Sequence, residues 1–305
     1  WGGGRELAAA ARRLDAATID VVHVHTPFVP VLPARVWHAF GRPTVATFHA
    51  TLPPGDRLMR TILAPVARAM RDRAAATVAV SESAAALLAP VRADRPIDVV
   101  PPAIDLEPWR EAGRAVEPRD PDRPPRLLFL GRFEARKGLD VLVEAWPAIA
   151  DRGRTRRPEL VIAGGGELEP LARGLAARDP DRVRVVATPD DAAARRLVAE
   201  ADLMIAPAPY GESFGLVLIE ALAAGTPVVA AANPGYAGVL TGPGADLLTP
   251  IGDAAALAAR IGELVADPDR LAALRAWGLA HVGQFDVAAV APRLLAVYER
   301  AIGRA

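Results

Sequence analysis

The chain has 305 residues, enough for one or two domains that each bury a sizeable core. Its 36 basic residues balance 36 acidic ones, which argues against a nucleic-acid binder, a class that carries a basic excess. It has no cysteine, which excludes disulfides and thiolate metal sites, and no uninterrupted apolar run long enough to span a bilayer.

The chain opens at Trp1, without an initiator Met or a signal-like segment, which points to a fragment. Residues 5–16 have helical composition, with Leu7 and Leu14 on one side and Arg12 and Arg13 on another. Strands are then expected at 20–25, 44–48, 76–80 and 97–100, with helices at 33–40, 57–75 and 81–88 between them. Apolar strands separated by helices predict a parallel sheet built from right-handed crossovers. Residues 108–125 are rich in proline and charge and read as an exposed linker or loop near a domain boundary. A second alternating set follows, with strands at 126–130, 159–163, 182–186, 202–206, 227–230 and 246–248. Its helices are expected at 138–149, 167–177, 191–201, 215–224, 254–266 and 269–283, which completes a doubly wound domain. A last helix is expected at 287–302.

Three turns of the second set carry candidate chemistry. After its first strand comes Gly131-Arg132-Phe133-Glu134-Ala135-Arg136-Lys137-Gly138, which holds the only lysine among the 36 basic residues. A single ammonium retained in a chain that otherwise uses arginine suggests a site for a compact point charge, as at phosphates. Gly164-Gly165-Gly166 follows the second strand and reads as a tight turn. It is no dinucleotide fingerprint, because Glu169 stands in the third glycine's place, and this sets aside a nicotinamide-dependent oxidoreductase. The third and longest block is Tyr210 to Ala230. There Ser213 is the expected N-cap of the helix over 215–224, and free amides at its start attract an anion.

Glu212 and Glu220, within Gly211-Glu212-Ser213-Phe214-Gly215-Leu216-Val217-Leu218-Ile219-Glu220-Ala221, could also be read as a glycosidase pair. Those carboxyls stand ~5–9.5 Å apart, whereas eight helical residues advance ~12 Å, so two successive functions along one ligand fit better. With Ala224-Gly225-Thr226-Pro227-Val228-Val229-Ala230 following in register, the block resembles the signature of the family 4 retaining glycosyltransferases. Within that family the chain resembles the phosphatidylinositol mannosyltransferase group.

The resemblance implies an α/β GT-B fold, two Rossmann-like doubly wound parallel-sheet domains facing a cleft. The first domain (1–107, acceptor side) lacks the usual opening strand and glycine-rich loop, so it is expected to be incomplete at its N-terminus. The second (108–284) would bind the nucleotide-sugar, and 285–305 would cross back to the first. The implied reaction is hexose transfer with retention, with mannose from GDP-mannose as the expected donor and a lipid or small molecule as acceptor. By the same resemblance Arg132 and Lys137 bind the diphosphate, and Glu212 with the amides of Phe214, Gly215 and Leu216 meets donor sugar and phosphate. Glu220 holds the ribose, and His49, which ends the strand at 44–48, faces the donor sugar. His23 and His25 alternate along the strand at 20–25 without an evident third ligand. No metal and no cofactor beyond the donor substrate is expected. The residue 5–16 segment, with a net charge of +1, supports at most weak peripheral membrane contact, so a cytoplasmic location extending to the inner membrane face is expected. The alternative is a catalytically silent nucleotide-sugar-binding or interaction module.

Overall fold

The computed structural model describes residues 18–26, 42–49, 65, 67–88, 96–117, 123–152 and 157–303. The glycine run at 2–4, the expected helices at 5–16 and 33–40, the first part of that at 57–75, and residues 118–122 lie outside these. The chain packs as two compact units: Trp1–Ala103 with Val287–Ala305, and Ile104–Asp286.

In the first unit, β1 (Val22–His25), β2 (Thr44–Phe48), β3 (Ala76–Ala79) and β4 (Ile97–Val99) form a parallel sheet in that order. Every residue of β2 and β3 is buried, as befits central parallel strands whose two faces are both covered. Val24 and Phe48 pack with Ala67 and Leu88, the last residue of α1 (Glu82–Leu88), while Val45 and Val78 pack on Val290 and Val297 of the C-terminal helix (Val287–Ala301).

The second unit begins with α2 (Glu107–Arg114), where the sequence suggested a linker. Pro108 stands in its first turn, where a missing N–H costs nothing, and Trp109 and Ala112 pack on the core. Proline and charge therefore mark a helix start and its wet face here. The strands are β5 (Arg126–Arg132), β6 (Glu159–Gly165), β7 (Val183–Ala187), β8 (Leu203–Ala206), β9 (Val228–Ala231) and β10 (Leu248–Thr249). Their spatial order is β10-β9-β8-β5-β6-β7, all parallel, which is the doubly wound arrangement with its reversal between β5 and β8. Around the sheet lie α3 (Leu139–Arg152), α4 (Glu169–Arg178), α5 (Asp191–Glu200), α6 (Leu216–Ala223), α7 (Pro234–Val239), α8 (Ala254–Val265) and α9 (Pro268–His281).

Two local outcomes differ from the sequence pattern. β5 and β6 run on to Arg132 and Gly165, because Gly131 pairs with Gly164 and the strands close up there; a Cβ on Gly164 would stand 1.9 Å from the Gly131 carbonyl. α7 was not expected; Asn233 caps it by accepting from the Tyr236 amide at 2.9 Å, and Pro234 opens it. Among the described residues no helix is long and apolar enough to cross a membrane.

Candidate active site

A cavity of about 700 Å³ lies at the carboxyl ends of β5, β6 and β7. Gly131 and Arg132 line it from β5, Gly164 to Gly166 from the end of β6, and Thr188 and Pro189 from the turn after β7. Asp191 and Arg195 of α5, Trp109 of α2 and Glu220 of α6 complete it. Open parallel sheets bind ligands at this end, beside the point where strand order reverses.

From Arg132, the one member that lines the cavity, a continuous chain of alternating charge runs through the turn after β5. Arg132 Nη1 reaches Glu134 Oε1 at 2.8 Å, and Arg136 Nε donates to Glu134 Oε2 at 2.7 Å. Arg136 Nη1 reaches Glu212 Oε1 at 3.4 Å, and Lys137 Nζ donates to the same oxygen at 2.6 Å. The turn is fixed at both ends. Phe133 is fully buried and its amide donates to Gly165 O at 2.8 Å, while Gly138 is left-handed (φ 72°) and so close to Pro207 that a Cβ would stand 2.2 Å from its carbonyl. Glu134 and Arg136 were not singled out in the sequence. They look like ordinary surface charges until the partner from 76 positions on is brought beside them.

The block after β8 folds onto this turn. Ser213 is not the N-cap of α6; Gly215 is, at φ 111° and ψ 54°, without a capping side chain. Its neighbour Tyr236 leaves no room for a Cβ, since one would come 2.7 Å from the ring. The first amides of α6 are therefore uncovered by any cap side chain. Phe214 is buried with its ring edge-on to Phe285, and Leu216 is exposed; neither they nor Gly215 line the cavity. Gly235 of α7 presses on the same turn, where a Cβ would meet Glu212 O at 2.3 Å. Burial, and then the Glu212 charge, pushes the Tyr236 phenol upward.

Glu220 is half-buried on the cavity wall, and its carboxylate has no hydrogen-bond partner among the described residues. Burial, then the Asp191 charge, raises its pKa above the ordinary carboxylate value, and Lys137 opposes the rise. Lys137 thus acts electrostatically on both acids of the block. The structure joins Arg132, Lys137 and Glu212 in one network and sets Arg132 and Glu220 on one cavity.

His49 belongs to the first unit, just beyond β2, where its Nε2 lies 2.8 Å from His25 Nδ1. Burial first, then His25, lowers its pKa. His23 stacks on His25 at 4.3 Å and is held at both nitrogens, by Tyr298 Oη at 2.7 Å and Thr47 Oγ1 at 2.6 Å. Burial first, then His25 and His49, pushes His23 down to about 4.

Comparison with known proteins gives concordant matches. Residues 124–267 match the family described as Glycosyl transferases group 1, and residues 3–108 match Glycosyltransferase Family 4. The chain is 32% identical to a phosphatidyl-myo-inositol mannosyltransferase of Mycobacterium tuberculosis, over 93% of this chain and 74% of that protein. A D-inositol 3-phosphate glycosyltransferase of Thermobispora bispora is 35% identical over 68% of this chain and 51% of its own length. Among solved structures, Anabaena HepE in complex with UDP superposes with a TM-score of 0.78 at 20% identity, covering 96% of this chain and 81% of that one.

Proposed function

The chain belongs to family 4 of the glycosyltransferases and is a sugar-transferring enzyme; from that premise we propose that it moves a hexose from a nucleotide-diphosphate donor, with retention, to a lipid or small-molecule acceptor. The observation that carries the reading is the ion-pair network that links Lys137 and Glu212, through Arg136 and Glu134, to Arg132 on the wall of the cavity that Glu220 also lines. A ligand with a charged middle and a hydroxyl-bearing sugar on either side fits that sequence of groups.

In this reading the diphosphate lies on the 132–138 turn and the start of α6. Charge grows on it as the glycosidic bond breaks, and Lys137, Arg132 and the amides of Phe214, Gly215 and Leu216 stabilise it. One such contact contributes roughly 3 kcal/mol to barrier lowering. Glu212 accepts from the donor sugar, and Glu220, whose carboxylate has no hydrogen-bond partner among the described residues, accepts from the ribose hydroxyls. The base lies by Thr188 and Pro189. His49 is assigned to the donor sugar on resemblance. The acceptor hydroxyl attacks from the leaving group's own face and gives its proton to the departing phosphate, so that no protein nucleophile is invoked. The protein cations take the neutralising role that a metal has elsewhere.

Mannose from GDP-mannose is the favoured donor, since the mannosyltransferase relative covers most of the chain. HepE holds UDP, so base choice is the point to test. A lipid acceptor would bring the protein to the cytoplasmic face of a membrane. A thermal-shift panel of GDP, UDP, ADP and their hexose conjugates tests the donor. At one shared concentration GDP and GDP-mannose should stabilise most, by about 2.7 kcal/mol where that concentration is about 100 times their dissociation constant. No stabilisation by any nucleoside diphosphate would overturn the reading.

A further inference from the structure

We propose that Glu134 is a positioning residue of this site: its carboxylate, ion-paired with Arg132 and Arg136 at once, holds the Arg132 guanidinium where a diphosphate meets it and the Arg136 guanidinium against Glu212. The proposal rests on the diphosphate reading above. The geometry of the turn carries it.

The carboxylate is used at both oxygens. Oε1 takes Arg132 Nη1 at 2.8 Å and Oε2 takes Arg136 Nε at 2.7 Å. Its backbone is also immobilised. It follows the fully buried Phe133, its own amide donates to Arg132 O at 2.9 Å, and its carbonyl accepts from the Lys137 amide at 2.9 Å. The acid is therefore a fixed point from which two long side chains are hung. Arg132 needs that tether most, because its side chain is 65% exposed and Glu134 is its only ion-pair partner among the described residues. A loose guanidinium loses rotamer freedom when it engages an anion, and one already tethered loses less. Arg136 transmits the order onward, since its Nη1 reaches Glu212 Oε1, the oxygen that also takes Lys137.

The rival account of the same acid is bulk charge, and it predicts the opposite sign. The five groups Arg132, Glu134, Arg136, Lys137 and Glu212 carry three positive and two negative charges. Neutralising Glu134 makes the site more positive, which by simple electrostatics tightens the binding of an anion. If positioning is the role, neutralisation loosens it instead.

The test is calorimetric titration of the full chain with GDP, UDP and the matching nucleosides, on wild type, Glu134→Gln, Glu134→Asp and Lys137→Ala. Glu134→Gln should weaken nucleoside diphosphate binding by about threefold to tenfold, the cost of ordering one freed arginine. Glu134→Asp keeps the charge but shortens the reach, and should fall between wild type and Gln. Binding of the nucleosides, which lack phosphate, should be unchanged in both. Affinity that stays the same or rises in Glu134→Gln overturns the proposal, as does an equal loss for the nucleosides. Lys137→Ala separates the two levels: a loss there with none in Glu134→Gln removes only the positioning role. No loss in either removes the diphosphate reading and the proposal with it.

Discussion

At the residue scale, the informative contrast is between the two acids of the block. Glu212 is 12% exposed and held by Lys137 and Arg136, so its charge is compensated within the protein. Glu220 is half-buried and uncompensated except at a distance, and burial raises its pKa. Its carboxylate opens on the cavity, where a ligand's hydroxyls can donate to it in place of water. Ribose hydroxyls would do so, and the pH dependence follows with a definite sign. The ionised carboxylate accepts two hydrogen bonds; as pH falls through the raised pKa it gains a proton and loses part of that capacity. Affinity for a ribonucleoside diphosphate should therefore fall on acidification, while that for the 2′,3′-dideoxy analogue stays level. Glu220→Gln should remove the pH dependence, and Glu220→Ala should weaken the ribonucleotide by roughly tenfold, about one charge-assisted hydrogen bond. Parallel pH profiles for ribo and dideoxy ligands in the wild type would exclude the ribose assignment.

At the element scale, the site is made where glycines let elements approach. Gly215 holds φ 111° at the start of α6 with the Tyr236 ring against it, so Gly215→Ala should cost about 2–3 kcal/mol, from left-handed strain plus the displaced ring. It should also weaken nucleoside diphosphate binding, because the 212–216 turn moves with it. Gly174 in α4 is the control, with nothing within 4 Å of an added Cβ; Gly174→Ala should stabilise by up to about 1 kcal/mol. Urea unfolding of both variants checks the pair, and equal changes would refute the packing argument. The same elements show what was legible beforehand. Central strands such as β2 and β8 are short apolar runs buried on both faces, and they read directly from the residues. α2 did not, because Pro108 and its charges hide a helix whose core contact comes through Trp109. Ser213 has the chemistry of a cap, but the backbone reverses two residues later, at the one type of residue that tolerates positive φ beside Tyr236. The turn after β5 was legible as a charged motif in Arg132 and Lys137. Its link from Arg136 to Glu212 was not, since a pairing across 76 positions leaves no periodicity.

At the scale of the whole molecule, each unit has its own core, and the first contains His23, a half-buried histidine whose pKa is pushed down to about 4. His23 ties three pieces of that unit together, linking β1 to Thr47 of β2 and to Tyr298 of the C-terminal helix. Its pKa is about 4 in the fold against 6.5 for the free side chain. Between those values the unfolded chain binds a proton that the native one does not, so stability is complete above about pH 6.5 and declines as pH falls toward 4. After allowing for solvent screening of a partly exposed group, the loss should be on the order of 1–2 kcal/mol. It belongs to the first unit alone. Amide hydrogen exchange between pH 7 and 4.5, corrected for intrinsic rate, should therefore show protection falling in β1, β2 and the C-terminal helix while β5 and β6 stay protected. His23→Gln, which keeps a hydrogen-bonding side chain without the titration, should flatten the acid slope in the first unit. Acid loss spread equally over β5 and β6, or an unchanged slope in His23→Gln, would mean that His23 is not what ties the first unit's stability to pH.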